Sequence, residues 1–504
     1  MKRLALSTLA EASAGVARPA YDPRAVGIGV VHLGIGAFHR AQTAVYVDDA
    51  LALERGDWGI CGVSLRSPEV RDRLAPQDGL YTAVEKSAAG TRRRVIGSVR
   101  ELRFLGDERK DIHARLAGPS TRIISLTITE KGYCHDPATG RLNLAHPDVV
   151  HDLAAPQDPI SAVGLISAAL DARRLSHGKP VTVLCCDNLP HNGALVRGLV
   201  LTFAEARDPA LAQWIRDHAT FPSTMVDRIV PATTDRDVEE NDAALALHDA
   251  APVMHEPFKQ WVIEDDFAAG RPSWERVGAQ LVDDVAPFEA MKLRLLNASH
   301  SAFAYLGYLA GYEFVYQVAA QAEFIAFMRR LMREEVAPTL KLPIGVDVVA
   351  YQNALVERFG NPALPHRTQQ IAMDGSQKLP QRLLGTVRDN LSAGRSIDLA
   401  TLAVAGWMRY VSGVDEAGRE IKVSDPLAPE FARIARAQRG DPTGLAHGLL
   451  ELRAVFDDDL PADSRFTCSV VAWLKALFER GAARTVARAA AGEGAESKAL
   501  KGDA

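Results

Sequence analysis

The sequence predicts an α/β protein of two domains: a parallel sheet covered by helices on both faces, then a mostly α-helical domain. Three observations carry that prediction. Short apolar runs alternate with helix-compatible segments in the first part of the chain. A glycine pair, Gly34 and Gly36, follows the first of those runs. After about residue 286, long helical patterns replace the strand-like runs. The expected domains are 1–285 and 286–487. A tail at 488–504, rich in Ala, Gly, Glu and Lys and without aromatic residues, is expected to be disordered.

The elements follow in order. Gly27–His32 is a short apolar run, and Leu33-Gly34-Ile35-Gly36-Ala37-Phe38-His39-Arg40-Ala41 leads from it into a helix-compatible stretch through Ala50. Further strand-like runs are Trp58–Leu65, Arg122–Thr129 and Val181–Cys186. Each is apolar or β-branched and bounded by turn or polar residues, as in strands buried on both faces. Ser161–Arg174 reads as a helix between two of them. In the second domain the helical patterns are Pro287–Tyr312, Val315–Glu335, Asp347–Arg358, Pro380–Ser392, Leu399–Ser412 and Ser464–Arg480.

Composition excludes several classes. The 504 residues carry 58 Lys+Arg against 63 Asp+Glu, a formal charge of −5. A nucleic-acid binder or a polybasic membrane-surface protein shows a basic surplus instead. No stretch reaches the roughly 18 consecutive apolar residues of a membrane span. Met1-Lys2-Arg3 resembles the start of a signal peptide, but Ser7, Thr8 and Glu11 interrupt the apolar region that would follow. Five cysteines, two of them adjacent, make no disulfide framework. The expected setting is a reducing one, the cytoplasm.

The glycine loop is the first chemical signal. In dinucleotide-binding folds a strand ends in Gly-x-Gly and feeds a helix. The first glycine makes the tight turn, the second lets backbone approach the pyrophosphate, and the helix N-terminus stabilises the negative charge. The expected cofactor contacts are Gly34, Ile35, Gly36, Ala37, Phe38, His39 and Arg40, with Arg40 as an added cation. His39 stands where the third fingerprint glycine would be. Glu69 is the nearest acid after the second strand, where it would favour NAD by repelling a 2′-phosphate; Arg66, close by, argues the reverse.

The second signal is a polar stripe on an apolar helix. With Lys292 at zero and about 100° per residue, Glu289 falls near 60°, His300 near 80° and Asn297 near 140°. The rest of that helix is largely apolar or small, so the polar arc must meet partners, water or a cavity. Desolvation disfavours the ammonium form of a buried lysine, which then takes a proton from a substrate hydroxyl. In that reading Asn297 offers an amide hydrogen to the developing alkoxide, His300 orients a hydroxyl, and Glu289 relays the proton; the alternative is a helix at a domain seam, with Lys292 paired to a carboxylate and His300 satisfied internally.

Two further clusters stand out. Cys186-Asp187-Asn188-Leu189-Pro190-His191-Asn192-Gly193 follows the fourth strand, where ligands border α/β sheets. Asn188 there supplies a second amide donor. Cys185, Cys186 and His191 do not make zinc spacing, so no metal is expected. Phe221–Pro231 holds Asp227 and Arg228 in an apolar setting, read as a buried ion pair or a ligand contact.

Together these segments resemble the polyol-specific long-chain dehydrogenase family, which includes mannitol 2-dehydrogenase and fructuronate reductase. The resemblance runs from about Arg18 to about Ala487 and rests on Leu33–Ala41, Ser125–Tyr133, Cys186–Gly193, Phe221–Pro231, Glu256–Phe267 and the spacing Lys-x4-Asn-x2-His at Lys292–His300. It implies an N-terminal Rossmann-type domain, a mostly helical C-terminal domain, an active site in the cleft, and metal-independent hydride transfer with NAD. It implies Lys292 as general base, Asn188 and Asn297 as the oxyanion pair, Glu289 as proton relay, and His300 and Asp227 as substrate residues. Position 370 carries Gln370 where mannitol dehydrogenases of the family have a substrate-contacting arginine, while Lys378 is retained. Leu65-Arg66-Ser67 and Asp187–Gly193 resemble the mannitol enzymes; His366–Leu384 resembles the fructuronate reductases. The resemblance puts a polyol and its ketose, mannitol and fructose, first. Mannonate and fructuronate are the alternative, with Arg367, Lys378 or Arg382 as the cation for a carboxylate. A non-catalytic NAD-binding sensor comes last. The partners implied are small molecules, with no nucleic acid and no membrane.

Overall fold

The protein is described from a computed structural model, which covers residues 1–136, 139–343 and 345–495. The chain forms two compact units, Met1–Ala286 and Pro287–Ala504.

The first unit is organised by a six-stranded sheet. Its spatial order is Val99–Phe104, Gly59–Ser64, Ile28–Leu33, Ile123–Leu126, Val181–Cys185 and Ala219–Thr220. Every neighbouring pair is parallel. All four strand-like runs read from the sequence are therefore strands of one parallel sheet. Successive side chains alternate between its faces. Val31 and Leu33 join one core with Ile124, Val163, Ile166 and Leu199. Val30 joins the other core, with Tyr46, Ile60 and Trp261. Helix Ala162–Leu175 begins where Ser161 caps it, its Oγ accepting from Gly164 N at 2.9 Å.

Val99–Phe104 carries no strand signal because it is an edge. Arg100, Glu101 and Arg103 interrupt its apolar pattern, and such charges discourage pairing with another chain. Two small sheets also lie in this unit. The hairpin Tyr81–Ser87 and Gly90–Ile96 pairs with Val253–His255, and Thr224–Asp227 runs antiparallel to Gln260–Glu264. The helix after the glycine loop is shorter than expected. It spans Ala37–Ala41 and breaks at Gln42, whose fully buried side chain donates to Gln260 O at 2.7 Å, before a new helix runs over Thr43–Leu53.

Among the described residues the second unit has no strand. Helix Asp398–Val411 is buried along its length and packs on Ala298–Leu309 and Ser464–Arg480. The buried Glu335 carboxylate caps its N-terminus, accepting from Leu399 N at 2.9 Å and Ala400 N at 2.8 Å. Three predicted helices contain a widened π turn: Lys292–Asn297, Leu331–Val336 and Pro380–Leu384. The first packs on the other two. Helix Ala482–Ala490 runs past the expected start of the disordered tail, because Val486 and Ala489 are buried in the core and Arg488 pairs with Glu493. The rest of that tail, 496–504, lies outside the described residues. No helix among the described residues is long and apolar enough to cross a membrane. All five cysteines are free thiols.

Candidate active site

In the first unit the candidate site is a cavity at the carboxyl ends of the central strands. It encloses about 230 Å³ and is lined by Gly34, Ile35 and Gly36, by Ser64–Ser67, by Thr127–Thr129 and by a few apolar neighbours. The chain leaves Ile28–Leu33 for one side of the sheet and returns to Ile123–Leu126 on the other. The cavity therefore sits at the switch point where open α/β sheets bind ligands.

Gly34 is required there. Its φ is +94°, and a Cβ would lie 2.1 Å from Thr127 O. Of the expected cofactor contacts, Gly34, Ile35 and Gly36 line the cavity, and Ala37, Phe38, His39, Arg40 and Glu69 do not. Ala37 opens the short helix and Phe38 packs against the core. Arg40 is not a cation at this cavity, because its guanidinium is buried, donates to Ala251 O at 2.5 Å and lies over the Tyr81 ring. His39 is also buried. Glu69 faces Arg73 at 2.6 Å, and Arg66, which does line the cavity, donates to Asp148 at 3.2 Å.

The loop after Val181–Cys185 carries Asn188, which is exposed. Its neighbour Asp187 anchors the surrounding backbone. That carboxylate accepts from Ile128 N at 2.8 Å, Thr129 N at 3.3 Å and the Tyr133 hydroxyl at 2.6 Å. Burial pushes the Asp187 carboxyl up from its ordinary value. Thr129 has φ +65°, a strained state for a β-branched residue, held in place by these contacts at the cavity wall.

Asn192 ties this loop to the strand that ends at Asp227. Its amide donates to Asp187 O at 3.0 Å and Thr224 O at 2.9 Å, and its oxygen accepts from Thr224 N at 2.9 Å. Gly193 permits the close approach, since a Cβ there would meet Phe221 O at 2.4 Å. Asn192→Ala should lower stability by about 1–3 kcal/mol, because buried backbone groups lose their partners. Urea denaturation checks this: the midpoint should fall at an unchanged slope, and an unmoved midpoint contradicts it.

Asp227 is buried at the end of Thr224–Asp227. Arg228 donates to Glu256 O at 3.1 Å and Ala41 O at 2.5 Å, and burial lowers its guanidinium to about 10. Both of these hydrogen bonds go to main-chain carbonyls. Among the described residues one group, Cys134, His146 and Asp148, brings three potential metal-ligand atoms within 4.8 Å of one another. Asp148 is engaged by Arg66, and His146 Nδ1 accepts from Asp148 N at 3.2 Å.

In the second unit, Lys292 and Asn297 open and close one π turn. A π turn bonds residue i to i+5 and rotates less per residue than an α-helix. The five-residue spacing therefore stacks Asn297 more nearly over Lys292 than the 140° of the α-helical estimate. Lys292 is buried, while Glu289, Asn297 and His300 are half-buried. The turn is braced by Arg294, which pairs with Asp389 and donates to Thr339 Oγ1 at 2.9 Å.

His300 stands among cations. Its ring stacks on Phe359 at 5.1 Å and meets His366 edge-on at 5.0 Å. Burial, then His366, Arg382, Arg358 and Lys378, hold the His300 imidazole well below its ordinary value, so it is neutral near pH 7. Arg382 donates to Asn297 O at 3.3 Å and Ser301 Oγ at 3.0 Å. Lys378 donates to Ile371 O at 3.1 Å and Met373 O at 2.5 Å. Arg367 is elsewhere, paired with the exposed Glu313 and lying over Phe314. Gln370 is exposed on the short helix Thr368–Ala372, which packs on Ala298–Leu309.

Sequence reasoning missed Asp187, Thr127, His32 and His366. A signal existed for two of them. His32 is a polar residue inside a buried strand, and Ser125, Thr127 and Thr129 alternate along the next one. A buried imidazole needs partners of that kind.

A parallel sheet with a glycine turn at its switch point is the architecture of a dinucleotide-binding domain, and the helical unit after it carries a buried lysine on the same helix as Asn297 and His300. The comparisons narrow this. The mannitol dehydrogenase Rossmann domain family matches residues 28–276, and the mannitol dehydrogenase C-terminal domain family matches 284–478. The chain belongs to the mannitol dehydrogenase family. It is 48% identical to D-mannonate oxidoreductase of Escherichia coli (strain K12) over 486 residues, covering 96% of this chain and 100% of that one. It is 42% identical to mannitol 2-dehydrogenase of Pyricularia oryzae over 477 residues, covering 93% and 94%. The solved ternary complex of Pseudomonas fluorescens mannitol 2-dehydrogenase with NAD and D-mannitol superposes with a TM-score of 0.86 at 39% identity, covering 96% and 98%.

Proposed function

We propose that the protein is an NAD-dependent oxidoreductase interconverting D-mannonate and D-fructuronate at a secondary alcohol. The observation that carries the substrate is the set of cations around neutral His300, with Arg382 donating to the Asn297 carbonyl and Lys378 close by. A uronate or hexonate carboxylate needs such charge; an uncharged polyol does not. The 48% identity to D-mannonate oxidoreductase supports the same reading. Interconversion of mannitol and fructose is the second reading, favoured by the 0.86 TM-score to the mannitol complex.

The switch-point cavity, with the Gly34 turn and the side-chain-free Gly36, suits a dinucleotide pyrophosphate. Bound NAD supplies the hydride acceptor for oxidation and, as NADH, the donor for reduction. Lys292 takes the hydroxyl proton during oxidation and returns it during reduction. The Asn188 and Asn297 amides donate to the substrate oxygen as charge develops on it. Glu289 passes the proton onward, and His300 and Asp227 orient hydroxyls. With a lysine and two amides in these roles, no metal is needed. Prolonged EDTA treatment should leave turnover at the untreated level, and loss restored by zinc would contradict this. The substrate is tested by following NADH oxidation. D-fructuronate should be reduced with a higher kcat/KM than D-fructose; the opposite order favours the mannitol reading.

A further inference from the structure

The phosphate-binding turn lacks the third fingerprint glycine, whose usual task is to allow close helix–strand packing. His39 occupies that position, and its ring lies flat on His32 of the central strand, with centroids 3.4 Å apart and planes 12° apart. Both rings are buried. His32 is paired in register with Ser125 of the neighbouring strand. Its Nδ1 lies 2.8 Å from Ser125 Oγ, and its Nε2 lies 2.8 Å from Thr127 Oγ1 and 3.2 Å from Gly34 O. The Thr127 hydroxyl donates to Gly34 O at 2.8 Å. Gly34 O only accepts, so the network assigns the His32 proton to Nε2 and makes Nδ1 the acceptor for Ser125. Burial holds the His32 imidazole down at about 3, so the ring stays neutral. His39 Nδ1 is tied in turn to Thr43 Oγ1 at 2.5 Å.

The Gly34 carbonyl is thus fixed by Thr127 and His32 as well as by Gly36 N at 2.7 Å. We infer that the stacked His32–His39 pair and the Thr127 hydroxyl replace the missing glycine, acting as positioning residues that hold the Gly34–Gly36 turn in its pyrophosphate-binding shape. This rests on the reading of the switch-point cavity as the NAD site.

The test uses the full-length enzyme and NADH as probe, with binding followed by fluorescence titration and turnover by NADH oxidation with D-fructuronate or D-fructose. Thr127→Val keeps the side-chain shape and removes the hydroxyl. It should raise the NADH Kd and KM about tenfold, the equivalent of about 1.4 kcal/mol. Its kcat should stay within about twofold, since the chemistry involves other residues. Thr127→Ser should restore wild-type binding. His39→Gly recreates the full glycine fingerprint and should weaken NADH binding, because the stacked partner is lost. Thermal denaturation of each variant separates positioning from folding: lowered stability with unchanged NADH Kd overturns the inference. Wild-type binding of NADH with Thr127→Val and His39→Gly binding equally well also overturns it, while the cofactor reading stands. Wild-type protein that binds no NADH overturns both.

Discussion

Replacing Lys292 with alanine lowers kcat by about 10²–10⁴-fold, the usual range for loss of a general acid–base. NADH binding stays near the wild-type value, because the pyrophosphate cradle is built from the Gly34–Gly36 turn and its neighbours, not from Lys292. Lys292 is buried within a π turn, so its replacement leaves a space lined by a mostly apolar helix. A small primary amine such as methylamine should enter that space and restore part of the lost rate in proportion to its free-base concentration. A structural lysine would give a different outcome: stability would fall, turnover would follow it, and no added amine would help. Near-normal turnover in Lys292→Ala removes Lys292 from the chemistry altogether.

Replacing Arg382 with glutamine removes the preference for a carboxylate-bearing substrate. A hydrogen bond to a charged group contributes about 1.5–3 kcal/mol. At about 1.36 kcal/mol per tenfold, kcat/KM for D-fructuronate should fall about 10–100-fold. The corresponding value for D-fructose should change little. The comparison between substrates matters because Arg382 also donates to Asn297 O and Ser301 Oγ. Equal losses with both substrates would mean that Arg382 only braces the Asn297 turn. Lys378→Met provides a second measurement of the same preference, whereas Arg367→Gln should leave it intact, since Arg367 is paired with Glu313.

The central sheet was legible because its strands are buried on both faces. Runs such as Ile123–Leu126 need apolar side chains in both directions, and that leaves a continuous signal. Val99–Phe104 was illegible for the opposite reason, since one exposed edge admits Arg100, Glu101 and Arg103. The short sheet containing Thr224–Asp227 gave little periodicity because its strands are only three to five residues long.

Within the site, the polar set on the Lys292 helix was readable, but its angular arrangement was not. The 100° estimate assumes an α-helix, and the sequence Lys-Leu-Arg-Leu-Leu-Asn contains nothing that announces a π turn. Arg40 reads as a phosphate contact in the sequence because it is a cation beside a glycine loop, whereas the fold turns it away from the cavity. Its partners, Ala251 O and the Tyr81 ring, lie far away in sequence. Asp187 was passed over for a related reason: its partners Ile128, Thr129 and Tyr133 come from another strand's end. Chain-local reasoning identifies residue types that need partners. It does not identify which partners the topology brings.

The most direct measurement of the central claim uses NADH deuterated at both C4 positions and D-fructuronate in ordinary water. Mass spectrometry of the product should find one deuterium on the carbon bearing the new alcohol, in stoichiometric amount with NADH oxidised. A D-mannonate product carrying only protium at that carbon, or NADH left unconsumed with both D-fructuronate and D-fructose, would contradict it.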